Sequence, residues 1–153
     1  NRYHASSFLR LQLHVASSIR EFDKLIALDT DLQVVRNIDH LRDVPTPAFV
    51  VHDADKGPNG GLQVLRPQPA VYKRFLSLTY TKRRGDGGDQ EVLRQLLPSF
   101  YELPLGYNLR PHYLLNQGNA SVMCEAHVIH IFDRREHVKG TRPTVLMREC
   151  RRV

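Results

Sequence analysis

Asp29 and Asp31, which close the run Lys24-Leu25-Ile26-Ala27-Leu28-Asp29-Thr30-Asp31, are the residues of this chain best placed to do chemistry. Two carboxylates separated by one residue leave the same face of an extended chain. Hard oxygen ligands so arranged suit a divalent cation such as Mg²⁺ or Mn²⁺, and that cation suits a phosphate-bearing substrate. Taken alone, the pair equally fits a solvated exit from a strand, because a three-residue motif carries little information. His130 closes the apolar step Val128-Ile129-His130. A lone histidine there fits a structural role, yet a neutral imidazole can complete the mixed N/O set that Mn²⁺ accepts. Asn59-Gly60-Gly61 reads either as a tight turn or as an amide in a loop whose glycines let the backbone approach a ligand. Asp86-Gly87-Gly88-Asp89-Gln90 sets two carboxylates and an amide around a flexible turn, and a helix cap accounts for Asp89 only. Leu103-Pro104-Leu105-Gly106-Tyr107-Asn108 is a turn with two polar side chains.

These groups need elements to hold them. The apolar run 25–28, bounded by charge, reads as a buried central strand. Asp29 and Asp31 then fall beyond its carboxyl end, where open α/β sheets bind ligands. Ahead of it, Phe8, Leu11, Val15, Ile19 and Phe22 recur at three- and four-residue steps, so 3–22 is predicted to be an amphipathic helix packed on that sheet. Residues 32–35 read as extended, and 37–41 as one helical turn with Asn37 as its cap. Pro45 and Pro47 precede a strand at 48–51. A polar, glycine-rich loop is expected over 52–61, then a strand at 62–65. Pro67 opens a helix carrying Val71, Phe75 and Leu78 on one face. Asp89 starts another helix through Leu97, which Pro98 ends. Strands are expected at 100–103 and 126–132, the last one carrying His127 and His130. Strands alternating with helices give an α/β layer protein. One domain over 1–132 and a basic tail over 133–153 complete the expected organisation.

The composition narrows the classes of function. The chain has 153 residues and a formal net charge of +6, with a sequence pI near 9.6. That balance permits a polyanion, but Arg and Lys are scattered from Arg2 to Arg152, in small clusters only. Nucleic-acid binders concentrate charge on one element and interleave aromatics, so no nucleic-acid partner is expected. A cleft for a nucleotide diphosphate would use the same charges more economically. No apolar run approaches the ~20 residues of a membrane span. The two cysteines, Cys124 and Cys150, match no metal or disulfide framework by spacing.

In their order, these features resemble the family 8 retaining glycosyltransferases, the glycogenin-like group, from the helix ahead of Asp29 to about His130. The likeness is carried by Asp29-Thr30-Asp31, Asn37-Ile38-Asp39-His40-Leu41, and Asn59-Gly60-Gly61 where the family has N-[SAG]-G. It continues through Asp86-Gly87-Gly88-Asp89-Gln90 and Leu103-Pro104 with Tyr107-Asn108, and ends on Val128-Ile129-His130.

The resemblance implies a GT-A type fold, a mixed sheet flanked by helices, whose first strands and base-binding region would lie ahead of Asn1. It implies a UDP-sugar donor, a glycan or protein acceptor, hexose transfer with retention, and a Mn²⁺ (or Mg²⁺) ion. In that picture Asp29, Asp31 and His130 ligate the metal, which neutralises the diphosphate as the sugar leaves. Asp29, Asn59, Gly61 and Asp86 would line the substrate. Asp89 and Gln90 would stand near the anomeric carbon, where an oxocarbenium-like transition state needs negative or polar groups. The chain departs from the pattern in two places. Leu13 stands where a basic residue is common, with Arg10 one turn away. The Lys-Pro-Trp that follows the metal histidine is absent; its step falls near Glu136, among Arg134, Arg135, Lys139 and Arg142. Two alternatives accompany this expectation: a non-catalytic glycosyltransferase-like binding module and, behind it, a basic polyanion-binding domain. Cytoplasm and Golgi lumen are both compatible with the resemblance.

Overall fold

A computed structural model describes residues 21–52, 57–81, 89–110 and 124–131. The expected helix over 3–22, apart from its last two residues, the turn holding Asp86, and the basic tail over 133–153 lie outside the described residues.

In chain order the elements are β1 (Leu25–Leu28), β2 (Leu32–Val34), a 3-10 turn (Asp39–Asp43), β3 (Ala48–Val51), β4 (Pro58–Leu65), α1 (Pro69–Thr81) and α2 (Asp89–Leu96). β5 (Tyr101–Leu103), a second 3-10 turn (Leu105–Tyr107) and β6 (Val128–His130) follow. β1, β4, β3 and β5 form one sheet in that spatial order, while β2 and β6 pair separately. β1–β4, β3–β4 and β2–β6 are antiparallel and β3–β5 is parallel. The architecture is therefore the mixed α/β sheet with helices that the sequence led us to expect.

β4 is the axis of the larger sheet, paired on both sides and buried along its whole length. Its residues 58–61 were expected in a loop, and the structure corrects this. The strand accommodates them by a bulge. Phe49 faces Gln63, but Val50 already faces Asn59, so residues 60–62 are skipped on the β3 side. Glycine in a strand interior marks such bulges, and bulges re-aim the side chains beside them. The Gly60 carbonyl left out of the ladder accepts from Gln63 Nε2 at 2.8 Å. β1 is a second correction. Among the described residues it pairs with β4 alone and is an edge strand, and Leu28 at its end is 38% exposed.

Alternation along β3 and β4 divides the core between the two faces of the sheet. Ala48, Val50, Leu62 and Val64 meet Leu41, Leu103 and Val128 on one face. Phe49 and Leu65 meet Phe75 of α1 and Leu93 and Leu96 of α2 on the other. Each fully buried side chain of this size contributes roughly 1.5–3 kcal/mol relative to exposure, so the helices are held chiefly by these anchors. The Asp39–Asp43 turn begins on an Asx turn rather than a helix cap: Asn37 Oδ1 accepts from the Asp39 amide at 2.7 Å. Lys24 donates to the carbonyls of Arg42 and Val44, tying the end of that turn to the entry of β1. Cys124 is disulfide-bonded, which cysteine spacing alone had not suggested. No helix among the described residues is long and apolar enough to cross a membrane.

Candidate active site

Asp29, Asp31, Asn59, Asn108 and His130 reach one corner of the molecule from four separate segments, and main-chain hydrogen bonds fix each segment. The Asp29 amide donates to the Gly61 carbonyl at 2.9 Å, continuing the β1–β4 ladder past the end of β1. The Leu32 amide donates back to the Asp29 carbonyl at 3.1 Å, so residues 29–32 form a tight turn that carries Asp31 round into β2. β2 pairs with β6, setting Leu32 opposite His130, and the Ile131 amide donates to the Asp31 carbonyl at 2.8 Å. On its other side β6 meets Leu109 through a parallel bridge to Ile129. The Leu109 amide donates to the Val128 carbonyl and the His130 amide to the Leu109 carbonyl, both at 2.9 Å.

This backbone frame brings Asp31 and His130 into direct contact, with Asp31 Oδ2 3.1 Å from His130 Nε2. The imidazole side chain is 12% exposed and the carboxylate 36%, so the pair lies at the bottom of an open corner. His130 Nδ1 lies 3.0 Å from Asn108 Oδ1. Asn108 is fully buried; its Nδ2 donates to Asn59 Oδ1 at 2.6 Å and its carbonyl accepts from His52 Nε2 at 2.6 Å. Asn59 Oδ1 also accepts from the Gly61 amide at 2.9 Å. Gly61 leaves room for this arrangement. A Cβ there would stand 2.7 Å from Asn108 Nδ2 and 3.0 Å from Asn59 Oδ1. Asn108 is the residue of this corner for which the sequence suggested no role, although Tyr107-Asn108 is among the steps that carry the resemblance. Its burial beside Leu109 depends on the bridge to β6, which has no local signature.

The spacing of the pair suits a shared cation. Two donors about 2.1 Å from an octahedral ion and at right angles lie about 3.0 Å apart. Asp31 Oδ2 and His130 Nε2, at 3.1 Å, have that separation. Among the described residues no group of three His, Cys, Asp or Glu side chains converges closely enough to hold an ion by itself. Substrate phosphates and water commonly complete the shell of a Mg²⁺-like ion held by few protein ligands. Asp89 and Gln90 open α2, which packs on β4 through Leu93. Asp86 lies outside the described residues.

Three further aromatic groups sit beside the corner. His40 and Tyr107 are hydrogen-bonded through Nε2 and OH, and Tyr107 stacks on His127 with ring centroids 4.7 Å apart. They fasten the two 3-10 turns to the start of β6.

No protein-family model matches the chain. Among curated proteins it is 26% identical to UDP-glucuronate:xylan alpha-glucuronosyltransferase 1 of Arabidopsis thaliana, over 74% of this chain and 16% of that protein. It is 28% identical to galactinol synthase 1 of Solanum lycopersicum, over 58% of this chain and 36% of that protein. With glycogenin-1 of Caenorhabditis elegans it shares 31% identity over 60% of this chain and 23% of that protein. The chain thus spans about a sixth of the length of the xylan glucuronosyltransferases it matches. In three dimensions it is similar to the apo form of the glycosyltransferase GlyE of Streptococcus pneumoniae, with a TM-score of 0.67 and 16% identity, over 94% of this chain and 42% of that one. It is also similar to mouse xyloside xylosyltransferase 1, with a TM-score of 0.53 and 18% identity, over 82% of this chain and 62% of that one.

Proposed function

We propose that this chain, whose fold is of the GT-A type and which is similar to glycogenin-1, galactinol synthase 1 and the xylan glucuronosyltransferases, is of the glycogenin-like, family 8 kind and forms part of a metal-dependent transferase moving a hexose from a UDP-sugar, with retention, to a glycan or protein acceptor. The observation that carries the reading is the Asp31–His130 contact, set between β2 and β6 at the separation of two neighbouring ligands on one ion. The names of the relatives support the donor class, since UDP-glucuronate is the donor named for the xylan transferases.

Asp31 and His130 would hold the ion, with Asp29 two residues back along the same turn and able to complete the set only by moving toward them. Mn²⁺ bound there would supply positive charge to the diphosphate as it departs with the electron pair of the glycosidic bond. The tight turn over residues 29–32 and the β2–β6 pairing hold Asp31 against His130, and electrostatic catalysis needs its charged groups fixed in place in this way. Gly61 and Asp86 are assigned to the sugar side, and Asn59, whose carboxamide oxygen accepts from Gly61 and Asn108, supports that side from within the protein. Asp89 and Gln90, at the start of α2, supply polar groups to the anomeric centre, and the packing of Leu93 and Leu96 against Phe49 and Leu65 fixes where that helix stands.

Calorimetric titration with UDP, with and without Mn²⁺, tests the proposal on the wild-type chain and on Asp31→Asn. We expect UDP binding only in the presence of Mn²⁺, weakened at least about tenfold in the variant, as even supporting residues of metal sites cost that much. Metal-independent binding of UDP, or no binding, would overturn the reading for this chain.

A further inference from the structure

The hydrogen bonds behind His130 have a direction that starts at a main-chain amide and admits one arrangement. The Gly61 amide is an obligate donor, so the Asn59 atom 2.9 Å from it is the carbonyl oxygen. The Asn108 atom 2.6 Å from that same oxygen must then be its amide nitrogen, because two carbonyl oxygens at this distance repel. Asn108 therefore turns its own oxygen toward the imidazole, where only a protonated Nδ1 satisfies the 3.0 Å contact. In the neutral ring Nε2 is then the nitrogen with the lone pair, and it faces Asp31 Oδ2. Lone pair facing carboxylate is repulsive unless a proton or a metal ion lies between them.

We infer that Asn59 and Asn108 are positioning residues: a relay from the Gly61 amide through two carboxamides holds His130 in the Nδ1–H tautomer and keeps its Nε2 lone pair aimed at the position shared with Asp31. Asn59 has no contact with the imidazole and acts on it only by choosing which end of the Asn108 amide points there. The relay is rigid. Asn108 is fully buried and Asn59 is 5% exposed. His52 holds the Asn108 main-chain carbonyl, and the Asn108 main-chain N–H donates to the Leu105 carbonyl at 3.1 Å, so the backbone that carries the carboxamide is fixed. Gly61 is required because any side chain there would occupy the space of the two amides. Partners of this kind on the second nitrogen of a metal-binding histidine fix its tautomer and raise ligand affinity. The consequence for Mn²⁺ rests on the proposed function, whereas the tautomer does not.

The test reads the tautomer first, in metal-free and donor-free protein. Long-range ¹H–¹⁵N correlation of the His130 ring should show Nδ1 protonated in the wild-type chain, with any proton on Nε2 shared with Asp31. In Asn59→Leu the Asn108 amide is free to turn over, and the spectrum should shift toward the Nε2–H form. Asn59→Asp keeps an oxygen acceptor for both donors and should leave the Nδ1–H form in place. Should Asn59→Leu fail to fold, Asn108→Leu removes the relay from its other end and should give the same shift. In a second measurement, Mn²⁺ affinity should fall by about 10- to 100-fold in the leucine variant and stay within a few-fold of wild type in Asn59→Asp. A wild-type ring protonated on Nε2 alone, or a tautomer unmoved in the folded leucine variant, would overturn the relay. If the tautomer moves as expected and no Mn²⁺ binds even to wild type, the relay stands and the transferase reading falls.

Discussion

Replacing Gly61 by alanine asks whether the glycine serves the backbone or the space above it. The φ of Gly61 is not in the left-handed region, so alanine can adopt the backbone without strain. On entropy alone the substitution should stabilise the protein by about 0.4–1 kcal/mol, through the unfolded chain. Against this stand a contact that real Cβ atoms essentially never make, 2.7 Å from Asn108 Nδ2, and a tight one 3.0 Å from Asn59 Oδ1. Both neighbours are buried and hydrogen-bonded to each other, and Asn108 is held by His130 at its other end, so neither can retreat as the free end of a surface side chain would. Overpacking of this kind costs about 1–3 kcal/mol. Pushing Asn108 away from Asn59 loses a hydrogen bond worth about 1 kcal/mol more. The net expectation is destabilisation of about 2 kcal/mol, with steric cost outweighing entropic gain. Urea unfolding of the intact chain, followed by circular dichroism, measures it as a midpoint lowered by about 1 M at an m-value of about 2 kcal/mol/M. An unchanged or raised midpoint would refute the reasoning, because it would mean that the amides can yield and that Gly61 is present for another reason.

Two other substitutions should separate packing from backbone effects by the same unfolding assay. Leu41→Ala removes a fully buried anchor of the core between the sheet and the Asp39–Asp43 turn and should cost about 2–5 kcal/mol. Gly57→Ala should cost about 1–2 kcal/mol for a different reason: its φ of 72° is left-handed, whereas the nearby Arg94 guanidinium can move aside. A Gly57→Ala variant as stable as wild type would show that the turn ahead of β4 relaxes freely.

The ease with which the sequence could be read followed how local each signal was. β1 and β3 are apolar runs bounded by charge or proline, and both were read with the residues they occupy. β4 was half missed. Asn59-Gly60-Gly61 has the composition of a turn, and the structure uses it as a bulge whose missing side chains make room for buried amides. β1 was expected at the centre of the sheet because its apolar run resembles that of a strand covered on both sides, yet only β4 pairs with it among the described residues. α1 was expected from residue 67 and begins at Pro69, a difference of the size usual at helix ends. For the corner itself, His130 was legible as the polar end of an apolar strand and Asp31 as half of a carboxylate pair. Asn108 was not, because its role is set by a bridge between residues 109 and 129 that leaves no periodicity.

Asp31 and His130 are 99 positions apart along the chain. Closing a loop of that length carries an entropic cost of about 4 kcal/mol from the (3/2)RT ln n dependence alone. The three-residue strands that carry the pair, β2 and β6, are too short to recover this by their own ladder. They must borrow it from the core that Leu41, Leu103 and Val128 share with β3 and β4. During folding the corner is therefore among the last features to appear, and on a ribosome it cannot exist until β6 has emerged. A pulse-labelled chain should acquire protection at β3 and β4 before it acquires the ability to recognise any ligand of Asp31 and His130, so ligand recognition reports completion of the fold.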